Sequence, residues 1–317
     1  MREQSLRKNA EEFVLYKQSI GYIYEDASRV LDHFVSFAEK ENSNAPYLQK
    51  GITDAFLSTI SYSDSQLYIT VSLLREFGRY LQARGYYDAY VIPPKVTQQP
   101  TPEAPYFFTL AETEAFFESL DSIEPHKSFP GRELVFPALF RLLYCCGLRC
   151  KEARTLECVN VHTDELYLDI IQSKGPKSRR IFISEELAKY LDDYDARIAV
   201  LFPDRKYYFP HGNHCYSCVS ISQNFRRFWL KAFPDFQLKT RPRAYDFRHH
   251  FAWTNINRWA SEGMDVNAML PYLMRYMGHQ SVKETLYYFH FVPEFFPTYQ
   301  NIAGLSEDLI PEVPDES

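Results

Sequence analysis

Four short stretches of this chain carry residue types suited to attack on a phosphate diester. "GLRCKEAR" holds Arg149 and Glu152, "SKGPKSRR" holds Lys174 and Lys177, "YDFRHHFA" holds Arg248, and "HQSVKETLYYFH" sets Tyr287 and Tyr288 between His279 and His290. Attack of a phenol on such a diester builds negative charge on the non-bridging oxygens. Planar guanidinium forks match those oxygens better than any other side chain, so Arg149 and Arg248 suit a phosphate clamp. Glu152, three residues after Arg149, falls on the same helical face and can hold that guanidinium in position. The departing 5′ oxygen needs a proton, and a lysine on a turn can supply it: Lys174 first, Lys177 in reserve. His279 can take the phenolic proton or hydrogen-bond the phosphate, because imidazole titrates near working pH.

Adjacent helical residues point about 100° apart, so Tyr287 and Tyr288 cannot share one site. One is packing and the other is a candidate for chemistry. His279 and Tyr288 are nine positions apart, about 900° on one straight helix and therefore on opposite faces. If both touch one phosphate the helix must break between them. The expectation is His279 at a helix start and Tyr288 on a following segment.

These groups must be positioned by a chain of 317 residues, which suits roughly two domains. Hydrophobic residues make up 45% and charged residues 24%, enough for real cores and against extensive disorder. No apolar run approaches the roughly 20 residues of a membrane span, and "MREQSLRKNAEEF" is too charged for a secretory leader. A cytoplasmic protein with no membrane partner is expected. The formal charge of −6 argues mildly against nucleic acid, yet local patches decide phosphate contact. Lys239, Arg241, Arg243 and Arg248 make "LKTRPRAYDFRHH" strongly basic. Cys145, Cys146, Cys150, Cys158, Cys215 and Cys218 read as reduced thiols. Cys215 and Cys218 with His211 and His214 have zinc-like spacing, but no matching second pair, so no metal is expected.

The fold expected is mainly α with a small β-sheet. Residues 1–90 form a helical domain: Val30, Leu31, Phe34, Phe37 and Ala38 make one buried stripe, and Leu67, Val71, Leu74 and Leu81 another. Tyr68, Ser72, Arg75, Arg79 and Gln82 share a different face, which could follow a DNA backbone or simply face solvent. Residues 91–105, "VIPPKVTQQPTPEAP", are a proline-rich linker. The second domain, 106–304, opens with a helix start at Thr109 and includes an apolar helix that Gly147 can end. Within it, "ELYLDIIQSKGPKSRRIFIS" reads as a β-hairpin. Residues 305–317 are an acidic tail.

The four boxes, in this order and at these spacings, resemble the tyrosine recombinase family, also called the phage integrase family, over roughly residues 105–292. The resemblance implies a helical core-binding, DNA-binding domain followed by the tyrosine-recombinase catalytic domain, closing on DNA as a C-shaped clamp. It implies Arg149, Lys174, Arg248, His279 and the nucleophile Tyr288 as catalytic residues, with Glu152 supporting. The pattern Thr-x-x-Tyr-x-His fits Thr285, Tyr288 and His290 and selects Tyr288 over Tyr287. Where the family's first histidine of His-x-x-Arg stands, this chain has Tyr245. A phenol donates a hydrogen bond but brings no positive charge. His249 points about 100° away from Arg248 and reads as structural.

The expectation is therefore a site-specific DNA recombinase or integrase that cleaves and rejoins strands through a 3′-phosphotyrosyl link and needs no cofactor. Its partner is double-stranded DNA with recombination sites, as used by a mobile element or in chromosome maintenance. Arg75, Arg79, Lys239, Arg241 and Arg243 are the candidates for DNA contact. No separate arm-binding domain is evident ahead of the helical domain. The rivals are a type IB topoisomerase-like relaxing enzyme, and a DNA-binding protein with decayed boxes, for which Tyr245 is the one hint. For the apolar stretch Phe291, Val292, Phe295, Phe296, Tyr299 and Ile302 the resemblance implies docking on a neighbouring protomer, the alternative being that it folds back onto its own domain as core. A monomer in solution that forms a homo-tetramer on paired sites follows.

Overall fold

The computed structural model describes residues 5–60, 64–94, 96–97, 104–171, 178–236, 241–279, 281 and 284–285. The chain divides into two compact units, Met1–Pro102 and Glu103–Ser317.

Among its described residues the first unit holds four helices: α1 (Leu6–Ser19), α2 (Glu25–Lys40), α3 (Lys50–Thr59) and α4 (Asp64–Ala83). The Ser5 hydroxyl starts α1 by accepting from the Lys8 N–H at 3.3 Å, one of the helix-end donors with no partner inside the helix. Leu31, Phe34, Val35 and Ala38 form the buried stripe of α2, at the spacing a core-facing helix requires. The stripe is rotated slightly from the expected one, since Val30 and Phe37 are only partly buried. They pack with Phe13, Phe56, Val71, Leu74, Phe77 and Leu81, each buried aromatic ring contributing about 1.5–3 kcal/mol by leaving water.

In the second unit α5 (Leu110–Asp121) begins with a reciprocal cap. The Glu112 N–H donates to the Thr109 hydroxyl at 3.2 Å, and the Thr109 N–H donates to the Glu112 carboxylate at 2.8 Å. Then follow α6 (Arg132–Cys146) and the short α7 (Cys150–Arg154). The strands β1 (Val161–His162), β2 (Tyr167–Ile170) and β3 (Arg179–Phe182) form an antiparallel sheet in that order. The hairpin expected from sequence is β2–β3, and β1 adds a strand that sequence reading did not contain. After α8 (Glu185–Leu201) a second small pair, β4 (Pro210–His211) and β5 (His214–Cys215), precedes α9 (Cys218–Ala232), α10 (Asp246–Ser261) and α11 (Val266–Met277).

Phe108, Phe116, Phe140, Phe225, Trp229 and Phe247 gather in the centre of this unit. α6 lies at its heart, with nine buried residues in its 15. Ala252, Ile256 and Trp259 of α10 pack against Leu270, Leu273 and Met277 of α11. This packing fixes where α11 ends, and several of the candidate site residues collect there.

Candidate active site

Gly278 caps α11 in the left-handed region, at φ +67°, where glycine carries no steric penalty. A helix end leaves its last carbonyls without intrahelical partners and carries partial negative charge. Three arginines from three different elements take three successive carbonyls here. Arg179 of β3 donates through Nε to the Tyr276 oxygen at 2.7 Å. Arg248 of α10 donates through Nη2 to the Met277 oxygen at 2.8 Å. Arg149, the residue before α7, donates through Nη2 to the Gly278 oxygen at 3.1 Å.

Each arginine is held from a second side as well. Arg248, 1% exposed, also donates to the carbonyl of Gly147, the cap of α6, at 2.7 Å. Glu152 lies buried in α7 and receives both other guanidiniums. Arg179 forms a two-pronged pair with it, Nη1 and Nη2 each at 2.9 Å. Arg149 donates Nη1 to the same carboxylate at 2.9 Å and its backbone N–H at 3.0 Å. Burial works to raise the Glu152 pKa, but hydrogen bonds and charge from Arg179, then Arg149, outweigh it and hold the group down at about 2.

His279 stands one residue beyond the cap, its N–H donating to the Met274 carbonyl at 3.0 Å. α11 ends at Gly278, so His279 follows a helix end rather than opening a helix as expected, and the break expected between His279 and Tyr288 falls mostly outside the described residues. Its Nδ1 lies 2.7 Å from the hydroxyl of buried Thr285. Burial, followed by the charges of Arg248, Arg149 and Arg179, lowers its pKa to about 3. At neutral pH the ring is uncharged and keeps an acceptor nitrogen.

Tyr245 precedes α10, is 44% exposed, and sets its ring edge-on to His249 at 5.0 Å between centroids. His249 is half-buried and close enough to Arg248 and His279 to interact electrostatically with both. The 100° step separates its side-chain direction from that of Arg248, and its ring packs on Tyr245. The next residue, His250, is buried against Tyr144 and Trp253 in the core.

The basic candidates outside the cluster differ in their surroundings. Arg243 folds onto buried Asp246, donating its backbone N–H at 2.7 Å and Nη2 at 2.9 Å. It thus pins the start of α10, while Arg241 is exposed. In the first unit Arg75 donates to the carbonyls of Ile92 and Pro93, both at 2.8 Å, and Gln82 to that of Ala89 at 2.9 Å. The face expected to follow a DNA backbone therefore ties down, at these two positions, the segment that leaves α4, whereas Arg79 is exposed. Lys174, Lys177, Lys239, Tyr287, Tyr288, His290 and the apolar stretch after it lie outside the described residues. Among the described residues no group of three or more His, Cys, Asp or Glu could hold a metal ion, and Cys215 Sγ instead accepts from Arg154 Nη1 at 3.1 Å.

The arrangement concentrates guanidinium charge and a neutral imidazole at one helix end, as stabilising a phosphoryl transition state requires. Against known proteins, the profile of the phage integrase family matches residues 109–294. The chain belongs to the phage integrase family. Its members are the tyrosine-type site-specific recombinases, which catalyse DNA strand cleavage and rejoining. This integrase-family chain is similar to y4rE of Sinorhizobium fredii (strain NBRC 101917 / NGR234), named as a candidate integrase/recombinase, at 26% identity over 89% of this chain and 91% of that one. It shares its fold with the XerH site-specific recombinase in a post-cleavage complex with a palindromic difH substrate, at TM-score 0.60 and 18% identity, covering 96% of this chain and 85% of that one. It also shares its fold with lambda integrase bound as a dimer to a core site, at TM-score 0.60 and 14% identity, covering 88% and 97%. Sequence reading missed Arg179 as a member of the cluster. The signal was present: in "SRRIF" alternate strand residues face the same side, so Arg179 accompanies buried Ile181 while Arg180 turns outward to Asp169.

Proposed function

We propose that this chain cleaves and rejoins double-stranded DNA at specific sites, with Tyr288 as nucleophile. The observation that carries the reading is the convergence of Arg149, Arg248 and His279 on the end of α11. The Tyr288 oxygen forms a bond to the scissile phosphorus while the bond from phosphorus to the 5′ oxygen breaks. Arg149 and Arg248 stabilise the charge that develops on the non-bridging oxygens, neutral His279 accepts the phenolic proton or bonds the phosphate, and Lys174 protonates the leaving 5′ oxygen. The 3′-phosphotyrosyl link keeps the ester bond energy, so a partner strand's 5′ hydroxyl reverses the reaction without a metal or nucleotide. Tyr245 contributes a hydrogen bond to the same phosphate.

The unit Met1–Pro102 acts in this reading as the core-binding domain. Arg79 and Arg241 are its and the catalytic unit's best placed phosphate contacts, with Lys239 beside the latter, while Arg75 and Arg243 support the segments that carry such contacts. DNA partnership draws support from the DNA-bound XerH and lambda integrase structures of the same fold. The protein works in the cytoplasm, where no helix among the described residues is long and apolar enough to cross a membrane. It assembles from monomers into a tetramer on paired sites. The test is to incubate the protein with fragmented genomic DNA, denature, and sequence the strands that remain covalently attached. A recombinase yields one short recurring sequence at the attachment point. A relaxing enzyme yields scattered sequences, and a decayed protein yields none.

A further inference from the structure

Glu152 poses a problem of charge. It is a buried carboxylate next to an arginine whose positive charge the phosphate needs, and a one-to-one pair between them would cancel that charge. Arg179 offers the way out. Its side chain is 8% exposed, too deep for contact with a DNA backbone, and its guanidinium meets both Glu152 oxygens at 2.9 Å. Arg149 is more open at 17% and uses one side-chain donor on Glu152 and one on Gly278. A guanidinium carries five donors in a planar fork, so others remain on Arg149.

We propose that Arg179 is a positioning residue for strand cleavage: it neutralises Glu152 so that Glu152 orients Arg149 without cancelling its charge. Two cations around one anion leave a net positive charge of one, displaced toward the more open member. The two-pronged geometry gives Arg179 the larger share of the carboxylate, since bidentate charged pairs are the strongest. The same residue joins three pieces of the site. It extends from β3, pairs with α7, and bonds the Tyr276 carbonyl next to His279's helix end. The inference rests on the reading that Arg149 contacts the scissile phosphate.

Arg179→Met leaves Glu152 unbalanced and draws Arg149 into a closed pair. Cleavage at saturating DNA should fall by about 10²-fold, the loss typical of one transition-state charge contact, while DNA affinity changes by less than about threefold because the groups that track the backbone are untouched. Removing the unbalanced anion should restore part of the rate, so Glu152→Gln/Arg179→Met should cleave at least about tenfold faster than Arg179→Met. A purely structural Arg179 predicts the opposite, with the double variant slower than either single one. The probe is a duplex of the sequence recovered from the covalent capture, with a bridging 5′ sulfur at the scissile position, and melting temperatures are recorded for every variant. Arg179→Lys keeps the charge without the fork and serves if Arg179→Met does not fold. It should cleave faster than Glu152→Gln/Arg179→Lys, in which the lysine's charge no longer has a carboxylate to balance. Wild-type cleavage by Arg179→Met, no gain in its double variant, or an Arg179→Lys protein slower than its own double variant would overturn the proposal. Arg149→Ala is the control: wild-type cleavage there defeats the underlying reading instead.

Discussion

Arg149 Nη2 and the carbonyl oxygen of Gly278 meet at 3.1 Å although the two residues are 129 positions apart. That bond places the first arginine of the site against the end of the helix that delivers His279. Any change at the helix end should therefore be felt in the arginine cluster.

Gly278→Ala tests this directly. A Cβ there would lie 2.9 Å from Arg179 Nη1, and the left-handed backbone adds strain of about 1–2 kcal/mol for any residue with a side chain. Gly263 shares the backbone strain at φ +69° but has nothing within 4 Å of its would-be Cβ. Chemical denaturation should show Gly263→Ala losing about 1–2 kcal/mol and Gly278→Ala losing more. DNA cleavage should fall only in Gly278→Ala. Equal losses in stability and rate would show that the contact with Arg179 is slack.

Stability should decline as pH falls from 7 toward 4. Burial first, then nearby positive charge, lowers His279 from its ordinary 6.5 to about 3, and burial lowers His249 and His250 to about 4. The unfolded chain then binds protons that the folded chain refuses, so stability is lost between about pH 6.5 and these lower values. Glu152, held near 2, adds its own loss below its ordinary carboxylate range, because its paired, charged form is the folded one. Denaturant midpoints at pH 7, 6 and 5 should fall in that order, and His279→Gln should flatten part of the slope. A midpoint that rises on acidification would contradict the burial of these rings. The cleavage rate should show no loss assignable to His279 at pH 6, since the ring stays neutral there.

Tyr245 stands where the resembling family has histidine, and its exposed ring leans on His249. If its hydroxyl bonds the scissile phosphate, Tyr245→Phe should slow single-turnover cleavage by about 10²–10³-fold. Tyr245→His should keep much of the rate. Wild-type cleavage by Tyr245→Phe would reduce the residue to a packing partner of His249.

The sequence made the candidate site legible where residue types stand together in a local box. Arg149, Glu152, Arg248 and His279 could each be named because each box carries its own chemistry, and the structure brings them to one helix end. Gly147 and Thr109 were readable as helix punctuation for the same local reason. What could not be read is tertiary. That three arginines take the carbonyls of 276, 277 and 278 depends on how β3, α7 and α10 pack on α11, and no local pattern encodes it. Arg75 looked like a surface cation, but its partners are carbonyls 17 and 18 positions away.

The central claim is that one phenol, that of Tyr288, forms the bond to DNA. Its most direct test is to trap the protein on the 5′-sulfur duplex, digest with trypsin and nuclease, and locate the nucleotide-bearing peptide by mass spectrometry in wild-type, Tyr287→Phe and Tyr288→Phe proteins. The account predicts a modified Tyr288 in the wild type and in Tyr287→Phe, and no adduct in Tyr288→Phe despite near-normal DNA binding. An adduct that persists in Tyr288→Phe, or that maps to Tyr287, would contradict it.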